Sequence, residues 1–271
     1  MLGVPRNAQP PTSRPRSDRG RAPAGGLAGR PIDAVLFDFH GTLAQVEDAV
    51  AWVVAAAAEC GVTLDHGRAT ALADRFVTAG RAGGPLPRRV PPHLADAWAD
   101  RDLTGHAHRA AYTGLAATVA AGIDGLADAL YDRVLRPEGW SPYADTGPAL
   151  RALRAAGVPV AVVSNIGFDI RPFFKAWDLL DLVDAFVLSY EVGRCKPDPA
   201  IFLGACAELG VPPTRAIMVG DTPADAAAVR AGLSALVLPA AGPGEVNGLA
   251  AVLTLARSAP PSPPPSSPIM D

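Results

Sequence analysis

Five short apolar runs govern what this 271-residue chain can fold into. They are residues 34–39 (AVLFDF), 159–164 (PVAVVS), 185–189 (AFVLS), 215–220 (RAIMVG) and 235–238 (ALVL). Each is continuous rather than alternating, the pattern of a strand buried on both faces of a parallel sheet. The stretches between the last four read as helices. Residues 169–177 carry Pro172 in the first turn, 198–209 start with Asp198 as N-cap and Pro199 at the first helical position, and 223–231 close on Gly232. A further helix over 145–156 precedes the second run. This alternation predicts an α/β fold with a doubly wound parallel sheet.

One interval breaks the rhythm. Residues 48–60, 67–80, 92–103, 105–121 and 123–136 all read as helices, with no strand among them. The block is too long for one crossover and predicts an inserted all-helical domain. The expected division is an α/β core at 31–45 and 137–257 with the helical insertion at 46–136. The exit, 137–142 (PEGWSP), reads as a hinge strand, and Trp52, Trp98 and Trp140 as core or hinge packing.

Composition closes off several function classes. The longest uninterrupted apolar run, residues 49–58, is far short of the roughly 18 residues of a membrane helix. Net charge is −3, but residues 1–30 hold six Arg and one Asp, leaving 18 basic against 26 acidic residues in the body. A mildly acidic body argues against a general nucleic-acid binder. Cys60, Cys195 and Cys206 have an odd count and no CxxC spacing, which fits a reducing, cytoplasmic setting. Residues 1–30 and 258–271 are low-complexity and predict disordered tails, the first basic and the second Pro/Ser-rich. A basic arm for an acidic partner is the alternative reading of the first tail.

In an open parallel sheet, ligands bind beyond the carboxyl ends of the strands. There the first run ends in Asp38-Phe39-His40-Gly41-Thr42-Leu43 and the second in Ser164-Asn165. Lys196 follows the third, within CKPDP, and the fourth ends in Gly220-Asp221-Thr222-Pro223-Ala224-Asp225. Carboxylates, one ammonium and a hydroxyl are thus expected on one rim. Each alone has an ordinary reading as a turn residue or helix cap.

In that order the four segments resemble the motifs of the haloacid dehalogenase (HAD) superfamily, over roughly residues 32–240. DFHGTL (38–43) is similar to its nucleophile loop, VVSN (162–165) to its second motif, Lys196 to its third, and GDTPAD (220–225) to its acidic metal motif. A helical insertion after the first motif resembles the C1-capped subfamily. The resemblance implies a hydrolase, and most directly a Mg²⁺-dependent phosphatase acting on a small phosphorylated metabolite. Asp38 would be the nucleophile and form an aspartyl-phosphate. Asp38, Asp221, Asp225 and the His40 main-chain carbonyl would serve the metal, Asp225 through a bound water or by orienting Lys196. Lys196, Gly41, Thr42, Ser164 and Asn165 would hold the phosphoryl group. The chemistry is coherent, because a carboxylate attacks phosphorus only when both negative charges are screened.

One residue departs from the pattern. Where most phosphatases of the superfamily carry an acid–base Asp, two positions after the nucleophile, this chain has His40. Three readings stay open: His40 moves the proton itself; it lines the pocket without proton transfer; or the site is a binding module for a phosphorylated ligand. The superfamily's dehalogenases also lack that Asp, but they need no metal, and Asp221 and Asp225 argue against them. A phosphonatase would need a lysine in the insertion, and residues 46–136 contain none. In the insertion, Arg81, Arg88 and Arg89 are expected on a solvated Gly/Pro-rich bend. On the helix after it, His106 and His108 face apart, whereas His108 and Tyr112 share a face.

Overall fold

All five apolar runs become strands of one parallel sheet in the computed structural model, which describes residues 32–257. The tails expected at 1–30 and 258–271 lie outside the described residues. The strands, in chain order, are β1 (Ala34–Phe37), β2 (Ala44–Val46), β3 (Trp140–Pro142), β4 (Val160–Ser164), β5 (Ala185–Leu188), β6 (Ala216–Gly220) and β7 (Ser234–Val237). The large sheet has the order β5-β4-β1-β6-β7, with β1 central between β4 and β6.

Period-2 geometry divides each strand between two cores. Val35 and Phe37 pack with Leu150, Phe173 and Val252 on one face, and Ala34 and Leu36 pack with Ile201, Phe202 and Ala205 on the other. Burial on both sides explains why these strands read as continuous apolar runs.

The helices are α1 (Ala49–Glu59), α2 (His66–Ala79), α3 (Ala95–Ala99), α4 (Gly105–Ala117), α5 (Leu126–Val134), α6 (Thr146–Ala155), α7 (Arg171–Ala176), α8 (Ser189–Val192), α9 (Pro199–Glu208), α10 (Pro223–Ala226) and α11 (Ala250–Arg257). Helices α1 to α5 form an insertion between β2 and β3. Trp52, Val53, Phe76, Leu126 and Leu130 give it a hydrophobic cluster of its own. Side chains close its helix starts: Asp48 accepts from the N–H groups of Val50 and Ala51, and Asp65 from that of Arg68.

The insertion joins the sheet through a two-stranded antiparallel ribbon that pairs Ala44 with Pro142 and Val46 with Trp140. Just beyond it, Arg133 grips Glu47 with two bonds of 2.6 and 2.9 Å. Strand β2 was not anticipated, and the strand expected over 137–142 is a 3-10 turn, Pro137–Gly139, followed by β3. Three-residue strands are too short to leave a period in the sequence. Other boundaries moved as well. The helix expected over 223–231 stops at Ala226 and continues as a 3-10 turn, and the first strand ends at Phe37. No helix among the described residues is long and apolar enough to cross a membrane.

Candidate active site

Strand β1 stops where the chemistry starts. The Asp38 N–H still bonds the Val219 carbonyl of β6 (2.9 Å), and the chain then turns so tightly that the Leu43 and Ala44 N–H groups both reach the Phe39 carbonyl. Gly41 permits the turn, with φ +80; a Cβ there would lie 2.4 Å from Asp221 Oδ2. The loop is held from behind by Asn247, whose amide donates to the carbonyls of Gly41 (3.1 Å) and Thr42 (3.0 Å).

Lys196 links the carboxylates. Its ammonium donates to Asp38 Oδ1 at 2.7 Å and Asp225 Oδ1 at 2.6 Å, and all three side chains are buried. The second Asp225 oxygen accepts the Thr222 N–H (3.0 Å) and hydroxyl (2.6 Å). Gly220 leaves room for this carboxylate, since a Cβ there would fall 2.2 Å from Asp225 Cγ. Burial works against the Lys196 ammonium, but Asp38 and Asp225 outweigh it and hold its pKa above the usual lysine value. Burial, helped by the Asp225 charge, raises the Asp38 carboxyl against the pull of Lys196.

Asp38, Asp221 and Asp225 each offer an oxygen within 4.8 Å of one another. Three carboxylates therefore face one ammonium. Burial, then the charges of Asp38 and Asp225, push Asp221 up to about 6. Asp221 Oδ1 is buried without a hydrogen-bond partner, and so is Thr42 Oγ1. An orphaned carboxylate oxygen beside excess negative charge fits a hard, oxygen-seeking divalent cation, and an orphaned hydroxyl fits an anion's acceptor atoms.

The profile of haloacid dehalogenase-like hydrolases matches residues 32–232. The chain belongs to this family. Among curated relatives, the haloacid dehalogenase-like hydrolase domain-containing protein 3 of Danio rerio is 34% identical over 99 residues, covering 36% of this chain and 41% of that protein. A phosphoglycolate phosphatase of Nitrosospira multiformis is 37% identical over 90 residues, covering 33% of this chain and 40% of that protein. The chain thus spans about two-fifths of the length of the curated relatives it matches. A solved dehalogenase structure shares the fold at 24% identity and a TM-score of 0.56, covering 83% of this chain and 96% of that one.

In this HAD-like hydrolase the other expected residues lie around the same rim. His40 is half-buried, and its Nε2 meets Gln45 Oε1 at 2.6 Å. The same Oε1 accepts the Val46 N–H (3.0 Å), which fixes it as an acceptor and puts the His40 proton on Nε2. Burial lowers the imidazole pKa against the Gln45 bond and the Asp38 charge. Ser164 ends β4 and faces a cleft of ≈ 170 Å³ between the sheet rim and the insertion. Asn165 also holds Lys196, its amide accepting the Lys196 N–H (2.7 Å) and donating to the Lys196 carbonyl (2.9 Å). This braces the lysine's backbone and leaves one N–H of the Asn165 amide, on a residue that lines the same cleft.

The expected solvated bend is corrected at one residue. Arg88 and Arg89 are exposed, but Arg81 is buried, 4.2 Å above the Trp52 ring and bonded to the Glu47 carbonyl. An apolar stem and a guanidinium that stacks on an aromatic face make this burial tolerable. His106 is exposed and His108 buried, where its Nδ1 meets the Tyr131 hydroxyl at 2.8 Å. Gln45, Asn247, Arg101 and Asp102 were not singled out in the sequence. Only the position of Gln45 near the first motif offered a signal.

Proposed function

We propose that this hydrolase is a Mg²⁺-dependent phosphatase of a small phosphomonoester, with the helical insertion, residues 46–136, as a cap over the rim of a core at 31–45 and 137–257. The observation that carries the reading is the group of Asp38, Asp221 and Asp225 around one Lys196, with Asp221 Oδ1 orphaned. Asp38, Asp221 and the His40 carbonyl would hold the cation, which when bound screens charge on the carboxylates and the phosphoryl oxygens. Asp225 commits its oxygens to Lys196 and Thr222, which supports an orienting role.

Asp38 attacks phosphorus, its bond to oxygen forms as the ester oxygen departs, and water then cleaves the acyl-phosphate. Lys196 neutralises charge on Asp38 and on the transferring group. Ser164, Thr42 and the loop N–H groups donate to phosphoryl oxygens. His40 supplies the proton that the leaving oxygen gains and takes one from the attacking water. Gln45 holds the proton on Nε2, so the exchange runs at Nδ1. The imidazolium gives its Nδ1 proton to the leaving oxygen, and the bare Nδ1 then takes one from the attacking water. Burial disfavours that imidazolium, so the first step weakens as pH rises.

The test is turnover of an aryl phosphate with and without Mg²⁺, in wild type and Asp38→Asn. Activity that requires both Mg²⁺ and Asp38 supports the reading; activity that survives a chelator removes it. Turnover of aryl but not alkyl phosphates would instead make His40 a lining residue without proton transfer, and His40→Asp should then raise alkyl phosphate turnover. Dehalogenation is disfavoured because a single carboxylate attacking carbon leaves the orphaned Asp221 without a task.

A further inference from the structure

The wall that the insertion presents to the cleft carries one full cation and one full anion, and they are neighbours. Arg101 and Asp102 lie in the turn between α3 and α4 and line the cleft opposite Ser164 and Asn165. Arg101 Nη2 is 3.3 Å from Asp102 Oδ2, with the side chains 24% and 20% exposed. Arg101 has little freedom to leave. Its guanidinium lies 4.1 Å over the Trp98 ring, and Nη1 donates to the Trp98 carbonyl at 2.7 Å. The turn is tied to the core as well, because the Ser189 hydroxyl donates to the Asp102 carbonyl.

The other lining groups add no free positive charge. His108 is buried beside Tyr131, and burial holds its pKa at about 3. Tyr112, Trp140 and Phe168 contribute aromatic surface. Lys196, outside that lining, is enclosed by Asp38 and Asp225. Among the described residues that line the cleft, Arg101 is the one full cation, and Asp102 is beside it.

We propose that the Arg101–Asp102 pair selects the leaving group: it admits phosphomonoesters of neutral, partly apolar alcohols and turns away those with a second anion. A carboxylate brought to this wall meets Asp102 beside an Arg101 whose charge is already paired, in a partly desolvated cleft where like charges repel strongly. A neutral chain meets rings and a compensated ion pair. The proposal rests on the phosphatase reading.

Two phosphonates that resist hydrolysis separate the cases: propylphosphonate, and 3-phosphonopropionate, which adds a terminal carboxylate. Binding is measured calorimetrically on the full chain with Mg²⁺. Wild type should bind propylphosphonate at least about tenfold more tightly. Asp102→Asn keeps the shape and frees the Arg101 charge, so 3-phosphonopropionate should gain about tenfold or more while propylphosphonate changes little. The reciprocal variant Arg101→Gln leaves Asp102 unpaired and should favour 2-aminoethylphosphonate over propylphosphonate, which covers a failure of Asp102→Asn to fold. Equal affinities in wild type, or an unchanged ratio in the folded variants, overturn the proposal. If an aryl phosphate is turned over and the ratio is flat, only this inference fails. If neither phosphonate binds and no aryl phosphate is turned over, the phosphatase reading fails and takes the inference with it.

Discussion

The sheet rim and the insertion handle charge in opposite ways. On the sheet rim, three carboxylates crowd one ammonium, burial raises Asp38 and Asp221, and Asp221 Oδ1 has no partner. On the insertion, Arg101 faces Asp102, His108 is held neutral, and Tyr112 and Leu86 add uncharged surface. The rim carries more carboxylates than cations, an excess that the proposed Mg²⁺ would offset. The insertion is balanced without a ligand. A wall left unbalanced binds by being completed, whereas a balanced one discriminates by what it refuses.

Removing the rim's central charges should break this contrast most severely. Asp38→Asn should lower Mg²⁺-dependent aryl phosphate turnover roughly a thousandfold or more, measured as kcat/KM. Lys196→Met comes next, with a loss on the order of a hundredfold. It also leaves Asp38 and Asp225 buried without a counter-charge, at about 3–5 kcal/mol of stability by denaturant titration. Asn247→Ala touches no reacting atom but releases the Gly41 and Thr42 carbonyls, so kcat should fall about tenfold with KM little changed.

The smallest effect sharpens the insertion's side of the comparison. His108 has a folded pKa of about 3, below the unfolded value of about 6.5, so between those values the unfolded chain binds the extra proton. Its contribution is full above about pH 6.5 and is lost as pH falls toward 3, at about 1.4 kcal/mol per pH unit. His108→Gln should flatten this acid limb in urea melts between pH 6 and 4. An unchanged limb would place the acid sensitivity elsewhere.

The rim was legible because its residues sit at the ends of apolar runs. Asp38, Ser164 and Asp221 each directly follow or end such a run, so locating the strands located the side chains. Lys196 follows β5 by a short segment and was found by the same logic. Asn247 reaches Gly41 and Thr42 from more than 200 residues along the chain, and the Arg101–Asp102 pair meets Ser164 only after the insertion has folded back. Such contacts leave no local period. Arg81 misled for a related reason: a Gly-rich bend reads as solvated, and the Trp52 ring that covers it is remote in sequence.

The paired strands Ala44–Val46 and Trp140–Pro142 carry one more consequence. Adjacent strands run about 4.8 Å apart. The two ends of the insertion therefore emerge side by side, clear of the sheet's own hydrogen-bond ladder. A foreign helical module spliced across those two points would inherit the reactive carboxylates unchanged and bring its own choice of guest.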